Sequence, residues 1–173
     1  MTYGAVIFDL IGTLAENFSA REFERLLGDM AGAVGVPRED FATLWIGSFD
    51  ERNRGVFPTL EDNIEHICRS LGVNPAPSRL AEAARLMFDF RTLTLRPRSD
   101  AFETLTRLKE AGCKTGLISD CSPEVPIVWQ EMPLAALVDA AIFSCQVGMK
   151  KPDPRIYHLA CERLGVKPRD CLY

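Results

Sequence analysis

Residues 5–14 read AVIFDLIGTL, an apolar run that reaches an aspartate and then breaks at a glycine. A short apolar run bounded by turn residues predicts a buried β-strand, which places Asp9 at the carboxyl end of that strand. In an open sheet of parallel strands, ligands bind in the crevice outside those carboxyl ends. The stretch therefore predicts the first strand of an α/β core and the first residue of a functional site.

Four segments with apolar residues at helical spacing follow this strand. The stripes run over residues 23–34, 41–49, 60–71 and 80–88. Each is flanked by residues that favour the start or the end of a helix. The second stripe includes Phe49. The pattern predicts a helical insertion after the first strand.

From Ser99 onward the chain alternates between helix and strand patterns. Helices are predicted over 99–112, 123–132 and 153–165, and strands over 113–120, 139–145 and from 170. Alternation of this kind implies parallel crossovers and an α/β fold with a Rossmann-like parallel sheet.

The length and composition fit one α/β domain with an insertion. The chain has 173 residues, 47% of them hydrophobic, which is enough for one sizeable core but not for two large independent domains. We therefore expect an α/β core domain formed by residues 1–17 and 96–173, with an all-helical domain inserted over residues 18–95.

The bulk charge and the cysteine pattern limit the expected partners. A net charge of −4 gives no electrostatic footprint for nucleic acid or an anionic membrane. No basic residue precedes Arg21 and no apolar run reaches about 18 residues, so neither a secretory signal nor a membrane span is expected. Six cysteines without metal-binding spacing favour free thiols in a reducing cytosol. We expect a cytoplasmic protein with a small-molecule substrate, with no nucleic-acid or membrane partner, and with its oligomeric state left open.

Polar residues follow three of the predicted strands. Asp9 ends the first strand, Ser119 and Asp120 end the second, and Lys150 and Lys151 follow the third. A carboxylate at such an edge can attack an electrophilic carbon or phosphorus covalently. A hydroxyl and an ammonium group can hold the anionic part of a substrate. The sequence thus predicts an active site at this edge of the sheet.

Three stretches together resemble the first three motifs of the haloacid dehalogenase-like (HAD) hydrolase superfamily, in order and in spacing: FDLIGTL, GLISDCS and VGMKKPDPRIYHLACERLGV. The resemblance implies that Asp9 is the nucleophile, that Ser119 binds the transferred group and that Lys151 orients Asp9. It also implies that the helical domain is a cap, a domain that covers the active site. The residues expected to contact substrate are Gly12, Thr13 and Asp120.

Ile11 departs from the phosphatases of the superfamily, which have a second aspartate at this position. That aspartate protonates the leaving oxygen, and loss of such an acid typically removes a factor of about 10² to 10⁴ in rate. The dehalogenase branch also lacks this acid, because a halide leaves without a proton. Dehalogenase-like caps usually supply an arginine for the halide, for which we nominate Arg52 or Arg54.

The fourth motif of the family, an acidic loop after the fourth core strand, is not present in these residues, which run to CLY at 171–173. In the phosphatases that loop completes a magnesium site. The metal ligands predicted here are the Asp9 carboxylate and the Ile11 backbone carbonyl, a fragment of an octahedral shell. We expect Mg²⁺ if the protein is of the phosphatase type and no cofactor if it is of the dehalogenase type.

Three interpretations of function follow. The first is a hydrolase acting on a small phosphorylated metabolite, the second a 2-haloacid dehalogenase-type hydrolase, and the third a catalytically silent binding module. Other polar residues are expected to be structural or solvated: His66, His158, Cys121, Lys150 and the cluster Arg91, Arg96 and Arg98.

Overall fold

A computed structural model describes residues 3–173. Its sheet has four parallel strands in the order β3-β2-β1-β4. The strands are β1 (Ala5–Phe8), β2 (Lys114–Ser119), β3 (Ala140–Phe143) and β4 (Cys171–Leu172). The predicted α/β fold with a Rossmann-like parallel sheet is confirmed.

Of the six helices between β1 and β2, the first five form a helical segment. They are α1 (Ala20–Val34), α2 (Arg38–Gly47), α3 (Phe49–Asn53), α4 (Leu60–Ser70) and α5 (Pro77–Thr94). Local capping explains where two of them begin, since the Ser19 side chain accepts a hydrogen bond from the Glu22 N–H, and Thr59 forms a capping box with Asp62.

This helical segment has an apolar core of its own. Its largest fully buried side chains include Met30, Phe41, Trp45, Ile64 and Met87, which belong to one cluster that contains no residue of the sheet. Burial of each side chain of this size stabilises the folded state by about 1.5–3 kcal/mol. The segment therefore packs as a unit beside the sheet.

The remaining helices cover the two faces of the sheet. They are α6 (Ala101–Glu110), α7 (Glu124–Glu131), α8 (Ser144–Val147) and α9 (Pro154–Leu164), with 3₁₀ turns at Pro133–Leu137 and Pro168–Asp170. Neighbouring residues of β2 point to opposite faces, so Leu117 packs with Trp129 on one face and Ile118 packs with Ile156 on the other. Both faces are buried, as is usual for a parallel sheet. No helix within residues 3–173 combines the length and the apolar character needed to cross a bilayer.

The second apolar stripe differs from its prediction. Helix α2 ends at Gly47, and Phe49 begins the separate helix α3. The Phe49 side chain is 54% exposed. Ser48, with a φ of −85° and a ψ of 10°, separates the two helices, and Arg52 and Asn53 of α3 are buried instead of Phe49. The prediction that Phe49 belongs to a buried stripe is therefore wrong.

Gly55 sets the close approach of α3 to α8. It has a φ of +70°, and a Cβ built there would overlap the Cys145 carbonyl. Gly72 has a similar φ of +73° but faces open space. We expect Gly72→Ala to lower the free energy of unfolding by about 1–2 kcal/mol, the cost of a left-handed alanine. Gly55→Ala is expected to lower the free energy of unfolding further, because the backbone at Cys145 must also move. Equal losses for the two variants in denaturant unfolding would contradict this account.

Candidate active site

Asp9 and Lys151 form an ion pair at the carboxyl end of β1. The distance from Lys151 Nζ to Asp9 Oδ1 is 2.8 Å, and the same carboxylate oxygen accepts the Leu10 N–H at 2.8 Å. Lys151 Nζ also lies 3.4 Å from the Ile118 carbonyl oxygen of β2. The lysine thus links the ends of two neighbouring strands.

The pair is partly withdrawn from solvent. Burial acts to lower the pKa of Lys151, but its interactions with Asp9 and Tyr173 outweigh burial and raise that pKa above its usual value. The ammonium group therefore stays charged at neutral pH. A fixed cation against one carboxylate oxygen holds the Asp9 side chain in a single orientation.

Ser119 and Asp120 lie where β2 ends. Ser119 is 1% exposed, two residues beyond Leu117, which pairs with Phe8 of β1. Asp120 Oδ1 accepts the backbone N–H of Lys151 at 3.0 Å. The Asp120 carboxylate thus fixes the loop that carries Lys151, and its contact with substrate stays a prediction.

Gly12 and Thr13 form the turn that follows Asp9. Gly12 has a φ of +83°, and its N–H donates to the Ala15 carbonyl at 2.8 Å. The Ala15 N–H in turn donates to the Leu10 carbonyl, and Thr13 is exposed at the tip of the turn. A left-handed residue at this position favours glycine. The turn keeps the backbone compact beside Asp9, while substrate contacts of Gly12 and Thr13 stay predictions.

Ile11 occupies this turn with an apolar side chain. It is half-buried and packs against the cluster on the face of the sheet that also contains Leu10, Leu14 and Phe88. The side chain two residues after Asp9 therefore supplies packing and carries no proton for a leaving group.

The predicted magnesium ligands within residues 3–173 form only part of a coordination shell. Within residues 3–173 no three histidine, cysteine, aspartate or glutamate side chains are grouped to hold a metal ion. Asp9 Oδ1 already accepts two hydrogen bonds. Magnesium requires near-octahedral oxygen coordination, so Asp9 and the Ile11 carbonyl would leave most of the coordination positions to other ligands.

The two arginines nominated for a halide differ in their surroundings. Arg52 is 3% exposed, and its Nη1 donates to the Trp45 carbonyl at 2.6 Å, to Ser48 Oγ at 2.7 Å and to Asn63 Oδ1 at 3.1 Å. Arg54 is exposed and pairs with Asp50 at 2.8 Å. Arg52 is therefore held inside the helical segment, and the halide role of either residue stays a prediction.

The prediction that Arg91 lies in a solvated linker is wrong. Its side chain is buried, and Nε lies 3.1 Å from Oε1 of the buried Glu124 on α7. Its guanidinium also lies 4.7 Å from the Phe18 ring. The sequence contains an indication that Arg91 is buried. Arg91 continues the helical spacing of Leu80, Ala84 and Met87 on the buried face of α5.

The sequence predicts a solvated charge at Lys150, and the structure shows a paired one. Its ammonium group pairs with Asp50 of α3 and lies 6.0 Å from the Phe49 ring. The loop that carries Lys151 is thereby linked to the helical segment. This link and the Arg91–Glu124 pair connect the helices of residues 20–94 to the sheet domain at two places.

Cys121 keeps its expected structural place beside the site. Burial raises the pKa of its thiol, and the contact with Ser119 acts in the opposite direction without reversing the shift. Its Sγ lies 4.0 Å from Cys145 Sγ. A thiol with a raised pKa is a poor nucleophile at neutral pH. His66 and His158 are both exposed.

Comparison with known proteins identifies the family of this chain. The sequence model of the haloacid dehalogenase-like hydrolases matches residues 3–173. The chain belongs to this family of hydrolases. The predicted resemblance to the haloacid dehalogenase-like superfamily is confirmed.

Curated relatives include both a dehalogenase and a phosphatase. The (S)-2-haloacid dehalogenase 4A of Burkholderia cepacia is 30% identical over 178 residues, covering 98% of this chain and 73% of that enzyme. The glyceraldehyde 3-phosphate phosphatase of Methanopyrus kandleri is 30% identical over 110 residues, covering 62% of this chain and 46% of that enzyme. The chain thus corresponds to less than half the length of this phosphatase.

Comparison with a solved structure supports the same fold family. A crystal structure described as that of a dehalogenase superposes with a TM-score of 0.58 at 26% identity, covering 98% of this chain and 74% of that one.

Proposed function

We propose that this protein is a hydrolase in which Asp9 displaces a leaving group that departs without a proton, with a small 2-haloacid as the substrate class. The observation that carries the proposal is the apolar packing of Ile11 beside the Asp9–Lys151 pair. This feature supports halide displacement over hydrolysis of a small phosphorylated metabolite, the first of the three interpretations.

Asp9 is the proposed nucleophile. Its Oδ1 accepts the hydrogen bonds from Lys151 and Leu10, so Oδ2 is the proposed attacking oxygen. Oδ2 forms a bond to C2 of the haloacid as the carbon–halogen bond breaks, and the halide leaves with the bonding electron pair. Water then hydrolyses the ester, which gives a 2-hydroxy acid, restores the Asp9 carboxylate and releases one proton.

Lys151 and Ser119 have supporting roles in this proposal. Lys151 holds Asp9 in position and offsets negative charge in the crevice, while the Ser119 hydroxyl binds the anionic part of the substrate. Asp120 positions Lys151 through the backbone hydrogen bond at 3.0 Å.

The helical segment is proposed as a cap domain over residues 18–95. The Lys150–Asp50 and Arg91–Glu124 pairs support this assignment, because both join the helices to elements at the carboxyl edge of the sheet. Closure of such a domain would exclude water from the crevice.

Phosphate ester hydrolysis is the second candidate. It is favoured by the likeness to a glyceraldehyde 3-phosphate phosphatase. Without an acid at position 11, an alkoxide leaving group would depart unprotonated, so alkyl phosphates would react slowly. Aryl phosphates would be affected less, because a phenolate is a weaker base.

Rate comparisons with variants of Ile11 test the proposal. The native protein is expected to release halide from 2-chloropropionate and to hydrolyse an aryl phosphate faster than an alkyl phosphate. Ile11→Asp is expected to narrow the aryl-to-alkyl rate ratio, by up to about 10²-fold if the new acid is well placed. Ile11→Asn is the matched control, because it has the same shape as aspartate but no acid.

Two results would contradict this account. One is a native protein that releases no halide while it hydrolyses alkyl phosphates as fast as aryl phosphates. The other is an aryl-to-alkyl ratio that changes equally in Ile11→Asp and Ile11→Asn. The first result would show that another group supplies the proton, and the second that a change at position 11 alters the ratio without proton transfer.

A further inference from the structure

Two cysteine thiols meet beyond the carboxyl ends of β2 and β3. These strands pair in parallel up to Ser119 and Phe143, and Cys121 and Cys145 each come two residues later. The two segments stay adjacent there, because the Cys121 backbone N–H donates to Ser144 Oγ at 3.0 Å. The distance between Cys121 Sγ and Cys145 Sγ is 4.0 Å. Segments at the spacing of neighbouring strands are close enough for a disulfide, which joins residues with Cα atoms about 4.4–6.8 Å apart.

The two thiols differ in exposure and in acidity. Cys145 is half-buried, whereas Cys121 is 3% exposed. A hydrogen bond with the Cys121 thiol lowers the pKa of Cys145, because it stabilises the thiolate. Burial and the Glu124 carboxylate act in the opposite direction without reversing the shift. The thiolate is the form that reacts with peroxides, so Cys145 is the thiol of this pair that reacts first.

We propose that Cys121 and Cys145 are a modification site, a dithiol that hydrogen peroxide oxidises reversibly to a disulfide. The Cys145 thiolate attacks one peroxide oxygen, the O–O bond breaks and hydroxide leaves, which gives a sulfenic acid at Cys145. The hydroxide takes up the proton that the Cys145 thiol released. The Cys121 sulfur then bonds to the Cys145 sulfur as the S–O bond breaks, and the sulfenic hydroxyl leaves with the Cys121 proton as water. Two thiols and one hydrogen peroxide thus give one disulfide and two molecules of water.

The second step is intramolecular. Burial raises the pKa of Cys121, so its thiolate is scarce at neutral pH. Its sulfur nevertheless lies 4.0 Å from the sulfur that it attacks, and proximity of this kind raises the effective concentration of a reactant by orders of magnitude.

A second pair of thiols provides an internal comparison. Cys161 Sγ and Cys171 Sγ are closer together, at 3.5 Å. Burial and the contact with Cys161 raise the pKa of Cys171 to about 11, and Cys161 is 5% exposed. If proximity alone decided the outcome, oxidation would link Cys161 to Cys171. If access and acidity of the first thiol decide it, oxidation links Cys121 to Cys145.

Oxidation is expected to affect the proposed active site through Ser119, and this consequence rests on the proposed function. Ser119 comes two residues before Cys121, and its hydroxyl is the proposed ligand of the substrate anion. A bond between sulfurs that lie 4.0 Å apart in the reduced protein requires the two segments to shift toward each other. We expect the oxidised protein to release halide from 2-chloropropionate at least about tenfold more slowly, and dithiothreitol to restore the rate.

The test is oxidation of the reduced full chain with hydrogen peroxide, followed by mass spectrometry without reduction. The native protein is expected to lose the mass of two hydrogen atoms and to yield a linked pair of peptides that contain Cys121 and Cys145. Cys121→Ala is expected to accumulate the sulfenic acid at Cys145, where dimedone traps it. Cys145→Ser is expected to slow the loss of the Cys121 thiol at least about tenfold. The matched control Cys161→Ser/Cys171→Ser is expected to form the same disulfide as the native protein.

Three results would overturn the proposal: a linked pair of peptides that contain Cys161 and Cys171 instead, loss of the Cys121 thiol at the native rate in Cys145→Ser, or conversion of Cys145 to a sulfinic acid without a disulfide. If Cys121→Ala does not fold, the peptides from the native protein still decide. The mass measurement does not depend on turnover, so a protein that forms the disulfide but releases no halide contradicts the proposed function alone. Halide release at an unchanged rate after disulfide formation would overturn the effect on Ser119.

Discussion

Asp9→Asn is expected to lower the rate of halide release by at least about 10⁴-fold, because the amide is a poor nucleophile and no covalent ester forms. The change is nearly isosteric, and the Leu10 N–H and Lys151 Nζ can still donate to the amide oxygen. The free energy of unfolding is therefore expected to change little. The measurement is halide release under saturating 2-chloropropionate, alongside denaturant unfolding.

Asp120→Asn is the matched control for this change. It removes the same charge one strand away, from a side chain that accepts the Lys151 backbone N–H, and is expected to lower the rate far less than Asp9→Asn. A single turnover with enzyme in excess in H₂¹⁸O gives a second readout. The first product is expected to carry unlabelled oxygen in its new hydroxyl group, because that oxygen comes from Asp9. Label in the first product, or equal losses in the two variants, would rule out Asp9 as nucleophile.

Arg91→Met is expected to lower the free energy of unfolding by about 3–5 kcal/mol, because it leaves the Glu124 carboxylate buried without its ion-pair partner. The two side chains are 10% and 1% exposed, so solvent screens the pair little. The measurement is denaturant unfolding of the native and variant proteins.

A double variant separates the pair from simple loss of packing. Arg91→Met/Glu124→Met removes both charges, and we expect it to recover more than half of the loss, because no buried carboxylate remains unpaired. A loss below about 1 kcal/mol in the single variant, the size typical of an exposed pair, would show that the two charges are solvated. A double variant no more stable than the single one would assign the loss to packing.

Much of the fold could be predicted from local patterns. Short apolar runs ending at Asp9 and Ser119 became neighbouring parallel strands, because a strand buried on both faces needs consecutive apolar residues. The four helical stripes became helices, since apolar residues at a spacing of 3.6 form one buried face. Phe49 was the exception, because α2 ends at Gly47 and Ser48 interrupts the helix before the stripe ends.

The candidate site was predictable in its residue types but not in its pairings. The strand-end rule located Asp9 and Lys151 at one edge, and their separation of 2.8 Å agrees with that expectation. The contact between the Asp120 carboxylate and the Lys151 backbone N–H could not be predicted, because it depends on how two loops distant in sequence fold over each other.

The sequence by itself determined the parallel sheet, the helical insertion and the membership of the HAD-like hydrolases, because each depends on periodicity or on motifs within a few residues. Tertiary structure alone decided that Arg91 and Glu124, 33 residues apart, form a buried ion pair. It also decided that Arg52 is buried among helices of the same segment, with its Nε unpaired among the described residues. Pairing and burial of this kind depend on how the helices dock onto the sheet, and no local pattern of residues encodes the partner of a charged side chain.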